Sequence, residues 1–258
     1  MRNCPLCTSH NASTYMKTTA WNNRDGIELK KCKNCQFIFS AASLCDYVFA
    51  GNIYAGMSRQ ELLERAQCEG LPALCSEIIQ KSRLQAGKVL DFGCGIGLTA
   101  LCLQEKSFET YGIETSAACL TKHKELGITS APSLEALAMP KNSFDLVILK
   151  DVLEHVDNPI NLLHNVVSYV KQGGYFYIRV PNVNHYNFHW SIDTKAHINH
   201  FSPRKLMNLV TRNNLKKIDF IDVYDISTRA GKLYHSVFWK TRHFLPLYHQ
   251  ISLLYQKE

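Results

Sequence analysis

The 258-residue chain predicts an α/β fold: a doubly wound, mostly parallel sheet with helices on both faces, preceded by a small cysteine-bearing module. Two observations predict the sheet. From Lys88 onward, short apolar runs of strand length alternate with amphipathic runs of helix length, as expected for parallel strands covered on both faces. One such run, Val89-Leu90-Asp91-Phe92, passes directly into Gly93-x-Gly95-x-Gly97 and an amphipathic stretch, which reads as strand, tight turn and helix start. A third observation predicts the module. Cys4-x-x-Cys7 and Cys32-x-x-Cys35 are two pairs separated by 24 residues, and each pair can turn two thiolates to one side.

Residues 1–42 read as a zinc ribbon, with a hairpin from Ser13–Met16 and Gly26–Lys31 and an exit strand through Phe37-Ile38-Phe39. So short a module buries little core, so Zn²⁺ on Cys4, Cys7, Cys32 and Cys35 is expected to supply much of its stability. Residues 43–85 begin with glycine-spaced aromatics (Tyr47, Phe49, Gly51, Tyr54, Gly56) and continue as helix over 58–83, with apolar stripes interrupted at Gly70-Leu71-Pro72. The core, 86–225, is expected to hold strands at Lys88–Phe92, Thr110–Glu114, Ile128–Ser130, Phe144–Lys150, Tyr175–Val180 and Lys216–Val223. Its helices are expected near 97–106, 116–126, 159–170 and 203–213, the last with Ser202 as N-cap and Pro203 at the first turn. Between Pro181 and His200 lies an irregular stretch with His185, His189, Trp190, His197 and His200, which reads as a lid or substrate wall. The tail, 226–258, mixes apolar and basic residues around Pro246. It reads as a helix packed on the core or on a second subunit, with contact to a membrane surface through 231–258 as the sharper alternative.

The glycine turn narrows the function. Its spacing differs from G-x-G-x-x-G, and no Walker-type Gly-Lys-Ser/Thr occurs. Glu114 ends the next strand about 20 residues on, where an acid can hydrogen-bond ribose hydroxyls in a Rossmann-like site. Asp91-Phe92-Gly93-Cys94-Gly95-Ile96-Gly97 resembles motif I of the class I S-adenosylmethionine-dependent methyltransferases. Tyr111-Gly112-Ile113-Glu114, Ser143-Phe144-Asp145-Leu146-Val147, Leu153-Glu154-His155-Val156 and Gly173-Gly174-Tyr175-Phe176 follow in the family's order, over roughly residues 86–222. The resemblance implies a seven-stranded type of sheet and S-adenosylmethionine as cofactor. It puts Asp91, Gly93 and Gly95, with Cys94 between them, at the cofactor's amino-acid end, and Glu114, followed by Thr115, at its ribose. It further puts Ser133, Leu134 and Glu135 near adenine, and Lys150, Asp151 and Leu153 near the methyl group and acceptor.

An acceptor oxygen or nitrogen must usually lose a proton, and histidine is suited to take it. His197-Ile198-Asn199-His200-Phe201-Ser202 resembles a histidine-plus-Phe-Ser signature of small-molecule members of the superfamily, so His197 is expected as general base. His155 is the second catalytic candidate and is expected to brace the cofactor loop. Asp151-x-x-Glu154-His155 also resembles the Glu-x-x-Glu-His cluster of some metal-dependent methyltransferases, with His200 as a fourth ligand; here Asp151 replaces the first glutamate.

Composition bounds the partners. The chain is 46% hydrophobic and 20% charged, with no run of about 18 apolar residues, and its polar start lacks a secretory pattern. A cytoplasmic protein with reduced thiols is therefore expected, and Cys45, Cys68, Cys75, Cys94, Cys102 and Cys119 read as small buried apolar residues. The formal charge of +7 falls to +5 if four thiolates (−4) hold one Zn²⁺ (+2). Without a dense basic run or a basic-aromatic platform, nucleic acid is not expected, and an anionic small acceptor is. The expected function is methyl transfer to O or N of a small molecule, a sugar or nucleotide-sugar in surface-glycan or secondary-metabolite synthesis. Related sugar enzymes often carry a further C-terminal domain that these 258 residues do not accommodate, which disfavours transfer to a sugar carbon. One alternative is an RNA or protein methyltransferase using the ribbon as a grip, against which stands the lack of an Asn-Pro-Pro-Tyr-type motif. A non-catalytic cofactor-binding scaffold is the other, and assembly into an oligomer is compatible with each.

Overall fold

The structure is a computed structural model that describes residues 2–17, 27–42, 54, 56–184, 197–220 and 250–258. Three short strands open the chain: β1 (Ala12–Lys17), β2 (Glu28–Cys32) and β3 (Ile38–Ser40). β1 and β2 pair antiparallel, as do β2 and β3, so the expected hairpin and exit strand form. The helical segment is two helices, α1 (Arg59–Cys68) and α2 (Leu71–Ser82), and Ser58 opens α1 with a reciprocal capping box to Glu61. Gly70 breaks the run at φ 70°, a left-handed conformation that a side chain would resist.

The core then alternates: β4 (Lys88–Phe92), α3 (Leu98–Gln104), β5 (Glu109–Ile113), α4 (Ala117–Leu126), β6 (Thr129–Ala131), α5 (Leu134–Leu137), β7 (Phe144–Lys150), α6 (Pro159–Val167) and β8 (Val170–Pro181). β9 (Asn199–His200), α7 (Pro203–Val210), β10 (Leu215–Phe220) and β11 (Gln250–Lys257) complete it. The seven-stranded sheet has the order β10-β11-β8-β7-β4-β5-β6. Its strands β6, β5, β4, β7 and β8 run parallel, while β11 is antiparallel to both its neighbours. The strand order reverses at β4, so the crevice between β4 and β7, beyond their carboxyl ends, is the switch point where ligands of doubly wound sheets bind.

Each face carries its own apolar layer. One joins Leu62, Leu74, Ile78, Leu101 and Leu103 of α1–α3 to Val89, Leu146 and Ile148. The other joins Leu163, Val166, Leu206 and Leu209 of α6 and α7 to Leu90, Val147 and Ile178. Cys4, Cys32, Phe37 and Phe39 belong to this second layer, and the Phe37 and Phe201 rings lie 5.1 Å apart. The N-terminal module therefore shares the main core rather than standing apart on metal alone.

The sequence reading is corrected in two regions. Gln250–Lys257 of the tail is a strand rather than a helix, threaded between β8 and β10 with Ile251, Leu253, Leu254 and Tyr255 buried. Those apolar side chains are thereby withdrawn from a membrane surface. The end of the expected lid is also a strand: β9 pairs with β3, matching Ile38 to His200 and Phe39 to Asn199, so the module's sheet reads β1-β2-β3-β9. His185, His189 and Trp190 of that lid, the aromatics Tyr47 and Phe49, Cys45 and tail residues 226–249 lie outside the described residues. Cys68 is exposed, against the expectation of burial, whereas Cys75, Cys102 and Cys119 are buried. No helix among the described residues is long and apolar enough to cross a membrane.

Candidate active site

A cavity of about 350 Å³ opens at the carboxyl ends of β4, β5 and β7, within the range usual for small-molecule sites. Asp91, Gly93, Cys94, Gly95, Glu114, Lys150, Asp151 and His155 line it, as the sequence resemblance implied for a shared site. Thr115, Ser133 and Leu134 are not among its lining residues. Thr115 gives its backbone N–H to Glu114, Ser133 caps α5, and Leu134 is buried in the second apolar layer. Tyr54, Glu69, Leu71, Thr99 and Val152 also line the cavity. The first three come from the segment expected to cover the cofactor, where the helix break at Gly70 was the one sequence signal pointing to Glu69 and Leu71.

The glycine turn is shaped as much by packing as by ligand access. Gly93 has φ +74° and Gly97 φ +93°, and a Cβ on either would collide with Val152 or Ile128 respectively. Glu114 then locks the loop: its carboxylate accepts the N–H of Gly95 at 2.9 Å, of Thr115 at 2.8 Å and of Ser116 at 2.9 Å. His123 supports the same loop from behind, with Nε2 2.9 Å from the Gly95 carbonyl oxygen and Nδ1 3.0 Å from Ser130 Oγ.

Asp91 is 2% exposed, and its Oδ2 is buried without a hydrogen-bond partner. Burial pushes its carboxyl up to about 6, with Lys150 opposing and Glu114 and Asp151 adding to the rise. A buried acceptor atom at a cavity wall is what a donor group on a bound molecule would satisfy. Together with the cavity size and Glu114, it makes the residues present fit S-adenosylmethionine. Asp151 follows β7 at φ 56°, strained for a non-glycine residue, and is held by Arg179, whose Nε donates to Oδ1 at 3.1 Å and whose Nη2 pairs with Oδ2. Burial would raise the Asp151 carboxyl, but Arg179 and Lys150 outweigh it and hold the group below the usual range. Arg179 carried no motif in the sequence; its position near the end of β8 beside β7 reveals its role.

The two histidines meet, but not in the expected order. His155 lines the cavity, and His197 packs edge-on against it with ring centroids 4.8 Å apart. Burial and the neighbouring His155 push His197 down to about 4, so it is neutral at physiological pH but a weak base. Glu154 is 1% exposed with neither carboxylate oxygen hydrogen-bonded, and burial, then Asp151, raises it well above the usual range. The anticipated metal set of Asp151, Glu154, His155 and His200 does not assemble. Glu154, His155 and His197 bring ligating atoms within 4.8 Å of one another, while Asp151 is engaged by Arg179 and His200 sits in β9.

In the N-terminal module, Cys4, Cys7, Cys32 and Cys35 bring their sulfurs within 4.8 Å of one another. The Cys4–Cys35 and Cys7–Cys32 sulfurs are 3.5 Å apart, near the ~3.8 Å edge of a tetrahedron with ~2.3 Å metal–sulfur bonds. Burial raises Cys32, but the backbone N–H groups of Cys35 and Asn34 and the adjacent thiols outweigh it and bring it down to about 7. The donor set fits a four-thiolate zinc site.

A seven-stranded sheet with one reversed strand, and an acid–glycine loop and a second acid at its switch point, define the class I S-adenosylmethionine-dependent methyltransferase fold. A family model described as a methyltransferase domain matches residues 62–219, and the chain belongs to that family. A ubiquinone biosynthesis O-methyltransferase from Bordetella avium is 26% identical over 129 residues, covering 47% of this chain and 54% of the relative. The chain thus spans about half the length of the curated relatives it matches. An S-adenosylmethionine-dependent methyltransferase structure from Archaeoglobus fulgidus superposes with a TM-score of 0.55 at 19% identity, covering 82% of this chain and 100% of that one. A Burkholderia thailandensis 1,6-didemethyltoxoflavin-N1-methyltransferase, solved with S-adenosylhomocysteine, superposes with a TM-score of 0.52 at 12% identity, covering 87% and 97%. At these identities the structural likenesses establish the fold.

Proposed function

We propose that the protein transfers a methyl group from S-adenosylmethionine to an oxygen or nitrogen of a small anionic acceptor, a sugar or nucleotide-sugar. The observation that carries this reading is the single cavity wall shared by His155 and the buried Asp91 carboxylate, whose Oδ2 has no hydrogen-bond partner. When bound, the cofactor supplies the activated methyl group. Asp91 and the Glu114-locked loop hold it, the Arg179–Asp151 pair fixes the end of β7, and His155 takes the acceptor's proton with His197 packed behind it. This assignment exchanges the roles expected of the two histidines, because His155 is the one at the cavity.

The formal charge of +7 supports the anionic character of the acceptor, and a second cavity, of about 190 Å³, is also basic. It lies where the N-terminal sheet meets the core, with Lys31 and Lys205 among its lining residues. The Bordetella relative favours a second acceptor class, an intermediate of ubiquinone biosynthesis methylated on oxygen. Zn²⁺ on Cys4, Cys7, Cys32 and Cys35 and a cytoplasmic location belong to the same reading, since four metal-binding thiolates require a reducing compartment. The test supplies S-adenosylmethionine labelled on its methyl group, with nucleotide-sugars, ubiquinone precursors, RNA and protein offered separately. Label appearing in a small anionic acceptor is the expected result; label appearing only in RNA or protein would overturn the reading.

A further inference from the structure

Beyond the β3–β9 pairing, one side chain of the N-terminal module, Arg2, reaches both segments that carry the site histidines. Arg2 lies two residues before Cys4, and its side chain is 10% exposed. Its Nη1 donates to the Ile198 carbonyl at 3.0 Å, and its Nη2 donates to the Asp157 carbonyl and to Asn199 Oδ1, both at 3.0 Å. Asn199 continues the network, donating from Nδ2 to the carbonyls of Leu153 at 3.0 Å and Val156 at 2.6 Å. Ile198 N–H donates to the Glu154 carbonyl at 2.8 Å, and the Ile198 carbonyl also accepts the N–H of Ser40 in the module, at 2.9 Å. Two chain segments, 153–157 and 197–199, are thereby stitched together, and they carry His155 and His197.

Neither segment has regular structure strong enough to fix its histidine. Residues 153–155 form a single 3-10 turn, and β9 is only two residues long and pairs with the module's β3. A guanidinium suits this task because its planar fork presents several N–H donors at fixed angles, which a lysine ammonium does not. The exposed ion pair of Arg2 with Asp157, 3.8 Å apart, adds little.

We propose that Arg2 is a positioning residue through which the metal-held module sets the His155–His197 pair, so that the module's task is to build the acceptor side of the active site. This rests on the reading of His155 as the residue that faces the acceptor. It requires no second ligand for the module.

The test compares wild type with Arg2→Ala, Arg2→Lys and Asn199→Ala, each purified with its metal. Hydrogen exchange of peptides covering 151–158 and 197–202 is expected to accelerate about tenfold or more in both alanine variants, since several bonds to each segment are lost. The imidazole nitrogen resonances of His155 and His197, assigned with His→Gln variants, are expected to shift together. Arg2→Lys is expected to restore little of either signal. Zinc content and affinity for S-adenosylhomocysteine should stay within about threefold of wild type, because neither the cysteines nor Asp91 and Glu114 are touched. Unchanged exchange and resonances in folded variants would overturn the proposal. So would changes that appear only with loss of zinc, since Arg2 would then merely hold the module together. If Arg2→Ala fails to fold, Asn199→Ala decides, as it cuts the same stitching from within the core. Failure of S-adenosylhomocysteine to bind wild type would instead count against the methyltransferase reading and leave the clamp to be judged on exchange alone.

Discussion

The two sheets of this protein are held by different forces. The seven-stranded sheet has an apolar layer on each face, and its central strands are covered by helices of both layers. The four-stranded sheet has two strands of three residues or fewer and rests on a cysteine cluster, on Phe37 and Phe39, and on a borrowed strand, β9. The first sheet supplies Asp91, Glu114 and Lys150 to the cavity wall, and the second is the one that, in the proposal above, fixes the acceptor end. On the proposed reading, a fold with ample burial carries a precise but locally weak wall braced by a small cysteine-bearing module.

The largest expected effect tests the first sheet. Removing residues 250–258 deletes β11 from between β8 and β10 and exposes the positions that Ile251, Leu253, Leu254 and Tyr255 fill. At about 1.5–3 kcal/mol for each buried side chain, the loss rivals the whole stability of a domain. The shortened chain should lack a cooperative thermal transition, whereas a protein that still melts cooperatively near the wild-type temperature would show that β11 is dispensable.

Next comes the second sheet. Zinc analysis should give about one metal per chain, and Cys32→Ser should lower it sharply. Amides of β1–β3 should lose exchange protection while those of β4, β5 and β7 keep it. If both sheets lose protection together, the two regions are one cooperative unit and the contrast fails.

The histidines sharpen the comparison at the acceptor end. Once an acceptor is in hand, His155→Ala should lower turnover by about 10²–10⁴, the range for losing a general base, with cofactor affinity little changed. His197→Ala should cost less. Since burial holds His197 near 4, an acid limb due to its protonation would fall near pH 4 rather than near the ordinary ~6.5. A limb near 6.5 that disappears in His197→Ala would restore His197 as the base.

At the cofactor end, Glu114→Ala should weaken cofactor binding about tenfold or more. The variant should also be less stable, which the sequence alone did not suggest. Glu114 accepts three backbone N–H groups, and leaving one such buried group unpaired costs about 1–3 kcal/mol. Unchanged affinity in a folded variant would place the cofactor elsewhere.

Most of the first sheet was legible in the sequence because its elements announce themselves locally. Lys88–Phe92 and Phe144–Lys150 are apolar runs that end in a glycine turn or a charged residue, and their bounds agree with the structure. β11 was not legible: its partners β8 and β10 lie far back in the chain, and its basic, aromatic surroundings resemble an amphipathic helix. The four cysteines could be read from spacing. The placement of β9 beside β3 could not, since a two-residue strand has no periodicity. Nor could Arg2 or Arg179, whose roles exist only through carbonyls and carboxylates brought together by the fold.

The central proposal is that the Asp91 carboxylate, buried with Oδ2 lacking a partner, binds the cofactor at the end of β4, and calorimetric titration with S-adenosylhomocysteine tests it most directly. The account predicts one site per chain at pH 7.5, with affinity falling as pH drops through about 6. The sign follows from the carboxyl: burial raises it to about 6, its charged form binds the donor, and protonation below that value removes the acceptor, by up to about tenfold per pH unit. Asp91→Asn should bind about tenfold or more weakly and lose that pH dependence. Absence of binding, or an Asp91→Asn variant with wild-type affinity and the same pH profile, would contradict the account.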